Sequence, residues 1–223
     1  MSRQYRHEIK YTISKTQAYI LKEKLLKIME VDPYGKKGYF IRSLYFDTPT
    51  NEAYNEKIDG VLNRKKYRIR IYNHDDSLIR LEKKIKDDNM TAKEQVIISK
   101  NELSKILSNK LEIDDCKDSL LKEFLVEIKT RGLEPSVIVD YNRYALVYPV
   151  SDVRVTFDYD IKSGRYDYDL NTKEDGYKII DDDMVILEVK FNDILPYPIA
   201  CILGTIPSTR NAFSKFAFCR SIK

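Results

Sequence analysis

The chain has 223 residues, of which 43% are hydrophobic and 33% charged, a composition that gives a folded protein with a real core and excludes a disordered one. Its 39 basic and 35 acidic residues leave a net charge of only +4, so bulk charge makes no case for nucleic acid and placement matters more than excess. Two histidines and three widely spaced cysteines argue against a histidine-rich metal site, a Ser-His-Asp triad and a thiolate zinc site, and suit a reducing compartment.

Residues 4–13 alternate as a strand. Ser14 and Gln17 then form a capping box for a helix to about Glu30, with Leu21, Leu25 and Ile28 as its buried stripe. Asp32-Pro33-Tyr34-Gly35 turns the chain into a strand at about 39–47, and a short helix near 50–57 ends at Asp59-Gly60. Three strands follow at about 64–73, 77–86 and 91–98, joined by turns at His74-Asp75-Asp76 and Asp87-Asp88-Asn89. Ser99 with Glu102 opens a helix at about 100–108, and another covers about 116–130. Strands return at about 135–148, 152–161 and 183–192, while 162–180, with Gly164 and Gly176, reads as a loop or hairpin. Ser208 caps a final helix carrying Phe213, Phe216 and Phe218. Mostly sequential strands with helices at the periphery define an α+β chain whose strands close into an antiparallel β-barrel, because closure removes sheet edges. Residues 1–223 read as a single domain.

Strand parity carries the functional signal. In Lys66-Tyr67-Arg68-Ile69-Arg70-Ile71-Tyr72 one face holds Lys66, Arg68 and Arg70, and the other Tyr67, Ile69 and Ile71. The pattern recurs in Arg6, Glu8 and Lys10; in Arg80, Glu82 and Lys84; at Arg143; in Arg154, Thr156 and Asp158; and in Glu188 and Lys190. The last helix region adds Arg210, Ser214 and Lys215. One such strand would turn its charges to water. Several suggest charged faces around a shared anionic ligand, since burying unpaired charge costs several kcal/mol per ion. Arginine forks and lysine point charges both suit phosphate. Glu8, Glu82 and Glu188 serve better as ion-pair partners or as ligands of Mg²⁺ or Mn²⁺, which bridge carboxylate to phosphate. His7, on the face opposite Glu8, reads as structural, Phe213 with Phe216 as core packing, and the three cysteines as inert buried thiols.

The segments Arg6-His7-Glu8-Ile9-Lys10-Tyr11, Arg42-Ser43-Leu44-Tyr45-Phe46-Asp47-Thr48, Arg64-Lys65-Lys66-Tyr67-Arg68-Ile69-Arg70, Leu187-Glu188-Val189-Lys190 and Phe213-Ser214-Lys215-Phe216 resemble the VTC domain. This is the polyphosphate polymerase module among the triphosphate tunnel metalloenzymes, also found as stand-alone bacterial proteins. The resemblance implies a basic tunnel through the barrel. Lys10, Arg68, Arg70, Lys84, Arg143, Arg154 and Lys215 would be its catalytic cations, and Glu8, Lys66, Lys190, Arg210 and Ser214 would bind substrate. Glu188 would hold the metal, Mn²⁺ or Mg²⁺. The implied activity transfers the terminal phosphate of ATP to a growing polyphosphate chain, with ATP, polyphosphate or another triphosphate-bearing polyanion as partner and no nucleic acid.

Two positions depart from the family pattern. Ala212 stands where a further lysine can occur, with Arg210 as a substitute, and the strand at 91–98 offers only Lys93 beside Gln95 and Ile97. These departures keep a non-catalytic polyphosphate or inositol polyphosphate module as an alternative. A triphosphatase or cyclase of the related CYTH branch is another, although Arg6 replaces the first Glu of the Glu-x-Glu-x-Lys pattern those proteins resemble. The charged N-terminus lacks the apolar core of a signal peptide, and no apolar run approaches the roughly 20 residues that span a bilayer. The expected location is the cytoplasm, with any coupling to export supplied by a separate membrane partner.

Overall fold

The computed structural model describes residues 4–164, 168–173, 176–207, 209–210 and 212–221, with backbone alone at 209 and 210. In chain order it contains β1 (Arg6–Ser14), α1 (Lys15–Leu25), β2 (Glu30–Val31), β3 (Tyr39–Asp47), α2 (Glu52–Ile58), β4 (Arg64–Tyr72), β5 (Asp75–Asp87) and β6 (Met90–Ile98). There follow α3 (Lys100–Leu107), a 3-10 turn (Ile113–Asp115), α4 (Ser119–Arg131), β7 (Glu134–Val147), β8 (Arg154–Ser163), β9 (Tyr177–Lys178), β10 (Met184–Phe191), α5 (Tyr197–Leu203), β11 (Thr209–Arg210) and α6 (Lys215–Ser221).

The strands order themselves β7-β3-β4-β5-β6-β1-β10-β8, and β8 pairs back onto β7. Every pairing is antiparallel, so this is a closed eight-stranded barrel. The short strands lie outside the ring: β2 on β7, β9 on β8, β11 on β1.

Local chemistry explains the joints. Asn73 and His74 both take left-handed angles, φ 52° and 56°, and form the two-residue hairpin that joins β4 to β5. The turn thus comes earlier than the sequence reading places it, and β5 resumes at Asp75. The Asn73 side chain accepts from the Phe40 amide at 3.0 Å, and His74 stacks on Phe40. Ser14 and Ser99 are capped reciprocally by Gln17 and Glu102, as expected.

Other elements differ from expectation. α1 stops at Leu25 because Glu30 and Val31 must reach Val147 and Leu146 in the sheet. The helix expected from about 116 starts at Ser119, where Asp118 accepts from the Leu120 and Leu121 amides. α5 is absent from the sequence reading, since Pro196 and Pro198 mask it; a proline in the first helical turn gives up an amide that has no partner there. The final helix begins at Lys215, after Phe213, and its first turn is closed by the Ser214 hydroxyl accepting from the Ala217 amide at 3.4 Å. Ser208, expected to cap it, lies outside the described residues. Of the cysteines, Cys116 and Cys219 are buried, but Cys201 is exposed, which corrects the expectation for that thiol.

The barrel wears its apolar face outward. Tyr67, Ile69, Ile71, Ile79 and Leu81 pack under α3 and α4. Val155, Phe157, Val185, Leu187 and Val189 pack under α1 and α5. A third apolar cluster, with Phe216 and Cys219 of α6 against Tyr45, Val139, Ile161 and Ile186, fills part of one end of the interior. The remaining interior is left to the charged face of each strand.

Candidate active site in the barrel interior

Four carboxylates organise the interior. Glu82, fully buried, receives the Arg68 guanidinium at 2.6 and 2.7 Å, Lys93 at 3.2 Å and Arg70 at 3.6 Å. Arg68 also donates to the Tyr45 hydroxyl, and Arg70 to the Ser43 and Tyr141 hydroxyls. Asp158 takes Arg143 in a two-pronged pair at 2.7 and 2.8 Å and Lys215 at 2.5 Å. Glu8 accepts from Lys84 at 2.7 Å and Lys10 at 3.2 Å. Glu188 accepts from Lys190 at 2.7 Å and comes within 4.0 Å of Arg143.

Register produces these groupings. Lys10 faces Glu188, and Glu8 faces Lys190, across the β1–β10 pair, so the two carboxylates lie on one diagonal of the ladder. Arg68 faces Glu82 across β4–β5. Among the described residues Lys66 forms no ion pair with a carboxylate; its ammonium lies 5.5 Å from the Tyr45 ring centroid and 5.2 Å from that of Phe216.

Titration follows from this crowding. Burial and then Lys84, Lys10 and Arg68 push Lys66 well below the ordinary lysine range. Burial likewise brings Lys84 and Lys93 down to about 8. Burial and Glu188 would raise Glu8, but Lys84, Lys10 and Lys190 outweigh them and hold it ionised. Burial also opposes ionisation of Glu188, and Lys190, Lys10, Lys84 and Arg143 overcome it. Inward-facing cations outnumber the four carboxylates: Lys10, Lys66, Arg68, Arg70, Lys84, Lys93, Arg143, Lys190 and Lys215.

A barrel of this kind has known relatives. A proposed adenylate cyclase from Bacillus halodurans superposes with TM-score 0.54 at 14% identity, over 86% of this chain and 83% of that one. An adenylyl cyclase candidate from Hippeastrum, with a dominant triphosphatase activity, gives 0.53 at 17%, over 97% and 95%. A chain of the Schizosaccharomyces pombe Mediator head module gives 0.51 at 7%, over 91% and 90%. At such identities the likeness shows the triphosphate-tunnel fold and no activity. None of the curated proteins matches the sequence. The family model of the VTC domain matches residues 5–222. The chain belongs to the VTC domain family.

The two mouths of this VTC domain differ. At one, Lys10, Lys66, Lys84 and Glu8 line a cavity of about 410 Å³, edged by Ala53 and Lys57 of α2, the Asn89 turn and residues 212–214. The Lys10 ammonium ties to the Phe213 carbonyl there, at 3.1 Å. At the other, Arg154 is 36% exposed, pairs with Asp32 and donates to the Tyr39 hydroxyl at 2.8 Å, so it marks the rim rather than the interior. Ser214 is buried at the start of α6, and the Arg210 side chain lies outside the described residues.

Lys93 points inward, but Ile97 on the same parity is 64% exposed. The reason is that β6 meets β1 through only Arg6–Thr91 and His7–Met90, so its later half leaves the ring. The hydroxyl clamps Ser43, Tyr45 and Tyr141 are not among the residues expected from the sequence. Their parity on β3 and β7 is the signal that places them.

Among the described residues no three His, Cys, Asp or Glu side chains gather into a metal site. The donors that are present fit a hard divalent cation shared with phosphate, which needs only one or two carboxylates from the protein. Glu188 and Glu8 are ionised neighbours, and the Thr156 hydroxyl, in register with Glu188, is buried with no hydrogen-bond partner among the described residues.

Proposed function

We propose that this chain is a metal-dependent phosphotransferase that moves the terminal phosphoryl group of ATP onto a growing polyphosphate chain. The observation that carries the reading is the excess of inward cations over carboxylates in a VTC domain. An interior so charged is balanced by a polyanion.

The protein's share of phosphoryl transfer is positioning and charge neutralisation. Arg68 and Arg70 present guanidinium forks, held in place by Glu82, Tyr45, Ser43 and Tyr141. Asp158 orients Arg143 and Lys215 on the facing wall, and Glu8 steadies Lys10 and Lys84 near the mouth. Holding a triphosphate at both walls aligns donor and acceptor before reaction. Glu188 and Glu8, with the Thr156 hydroxyl, would hold Mn²⁺ or Mg²⁺, which when bound supplies Lewis-acid neutralisation of phosphoryl charge. The acceptor is an ionised phosphate, which needs no strong general base. The two histidines accordingly lie elsewhere, His7 stacked on Phe191 and His74 on Phe40.

A second reading, hydrolysis of a triphosphate, is favoured by the Hippeastrum relative's triphosphatase activity. In either reading residues 1–223 act as one domain in the cytoplasm, and passage of product across a membrane rests on a separate protein. Incubation with ATP and Mn²⁺ followed by gel resolution of products tests both. Long chains are expected; free phosphate alone would replace polymerase by hydrolase, and intact ATP would leave a polyphosphate or inositol polyphosphate binding module. Glu188→Gln should nearly abolish turnover and shift the Mn²⁺ midpoint, while metal-free tripolyphosphate binding survives. An unshifted midpoint with near-normal rate would falsify the ligand role of Glu188.

A further inference from the structure

Three cations at the 410 Å³ mouth are set differently from those inside. Lys57 of α2, Arg64 at the start of β4 and Lys86 near the end of β5 line the same cavity as Lys10, Lys66 and Lys84. Among the described residues no carboxylate forms an ion pair with any of the three; Arg64 and Lys86 donate instead to the backbone carbonyls of Val61 and Asp88. They also press on one another. Burial and then Arg64, Lys10 and Lys86 lower the titration of Lys57, and burial and then Arg64 lower that of Lys86. The acids felt at this rim, Glu56 beside Arg64 and Glu8 and Asp88 beside Lys86, do not cancel the effect.

The lip is built rather than loose. The buried Asp47 carboxylate accepts from the Ala53 and Tyr54 amides at 2.8 and 3.1 Å and so anchors the first turn of α2, whose last turn carries Lys57. Arg64 and Lys86 stand opposite each other in the β4–β5 ladder. Three cations held around a concave rim, with no carboxylate in an ion pair to any of them among the described residues, are complementary to a flexible polyanion that leaves the interior.

We propose that Lys57, Arg64 and Lys86 form a second phosphate-binding station, used by linear polyphosphate chains longer than the interior can hold. This rests on the polyphosphate reading and deepens it: the interior takes a triphosphate unit, and the lip takes the phosphates that follow. A nucleoside triphosphate or tripolyphosphate is held by the interior alone.

The test compares metal-free binding of tripolyphosphate and of polyphosphate several tens of units long. The variants are K57A/R64A/K86A and K110A/K117A/K122A, the latter removing the same charge from exposed lysines around α3 and α4. The lip variant should keep tripolyphosphate affinity within about twofold of wild type and lose about tenfold for the long chain, as three partly exposed ion contacts allow. The control variant should change either ligand less than about twofold. Equal loss of both ligands in the lip variant, equal long-chain loss in the control, or no loss in the lip variant would each overturn the proposal. Lys57→Gln, at a half-buried position on a short helix, repeats the test with minimal risk to folding and should show about a third of the long-chain effect on a logarithmic scale. Wild type that binds neither ligand would instead defeat the polyphosphate reading itself, and absence of turnover leaves the binding comparison intact.

Discussion

The two faces of the β4–β5 pair follow different rules. Outward, Tyr67, Ile69, Ile71 and Leu81 are sealed beneath Leu120, Leu121, Phe124 and Leu125. Phe124 meets Phe46 edge-on at 4.9 Å and Tyr67 at 5.3 Å. Inward, the same strands hold Arg68 and Arg70 around Glu82, joined by Lys93 from β6. The outer face gains stability from close-packed apolar area. The inner face is a balance of charges tilted toward positive, and the packed shell is what allows it to stay tilted. Stability and ligand binding should therefore respond to different substitutions.

The largest effect is expected outside. Phe124→Ala removes a fully buried ring and should lower unfolding free energy by about 3–5 kcal/mol in urea titrations. The folded fraction should bind tripolyphosphate as wild type does. A loss below about 1 kcal/mol would show that the outer shell does not carry the fold.

Inside, the substitution that hurts is the loss of a carboxylate. Glu82→Gln leaves Arg68, Arg70 and Lys93 without their shared counter-charge and should cost about 3 kcal/mol, the lower end for a broken buried pair because Lys93 is 44% exposed. Tripolyphosphate supplies the missing negative charge, so its stabilising shift in melting temperature should be larger in this variant than in wild type. Phe124→Ala should show only the wild-type shift. Equal shifts in all three proteins would mean that the interior is not charge-tilted.

Much of this contrast could be read from the chain. Alternation fixes which residues of β1, β4, β5, β7, β8 and β10 share a face, because a strand has only two. That is why Lys10, Arg68, Arg70, Lys84, Arg143 and Glu188 come together as the parity and the family resemblance imply. Pairings are less visible, since they depend on register between strands distant in sequence. That Asp158 serves both Arg143 and Lys215 requires closure of β7 on β8 and the arrival of α6. Arg154 shares the inward parity yet stands at a rim, because Asp32, in a turn far back in the chain, reaches it there. Ser43, Tyr45 and Tyr141 go unnoticed because hydroxyls in aromatic, β-branched strands look like ordinary strand formers.

Removing a cation should separate the two properties most cleanly. Arg68→Ala deletes two contacts to Glu82 and one to Tyr45, yet Glu82 keeps Arg70 and Lys93. Tripolyphosphate binding should weaken by about 1.5–3 kcal/mol, as for a hydrogen bond to a charged group, by isothermal titration calorimetry. Melting temperature without ligand should hold or rise, because the surplus of positive charge falls. A marked drop would make Arg68 a structural ion-pair partner first and a ligand contact second.

The smallest effect comes from pH, and its sign distinguishes the free from the bound protein. Burial, reinforced by Lys10 and Lys190 against Glu8 and Glu188, lowers Lys84 to about 8 from an ordinary lysine value of 10.5. Burial, reinforced by Arg68 and Arg70 against Glu82, does the same to Lys93. A lysine lowered on folding carries a penalty that is complete below about 8 and relieved as pH rises toward 10.5, since the unfolded chain binds more protons in that window. These two groups therefore favour the free protein as pH climbs. A bound polyanion favours their charged forms, so what these two lysines contribute to its affinity should be flat below about pH 7 and fall through pH 8 to 9.5, by no more than about tenfold per pKa unit. A sulfated polyanion, whose own charge is constant in that range, isolates the protein's contribution. Calorimetry in two buffers of different ionisation heat should then register proton uptake on binding near pH 8. Lys84→Arg, which keeps its proton throughout, should remove part of that uptake and flatten the profile. An affinity unchanged to pH 9.5, with no proton uptake, would place neither lysine against the anion.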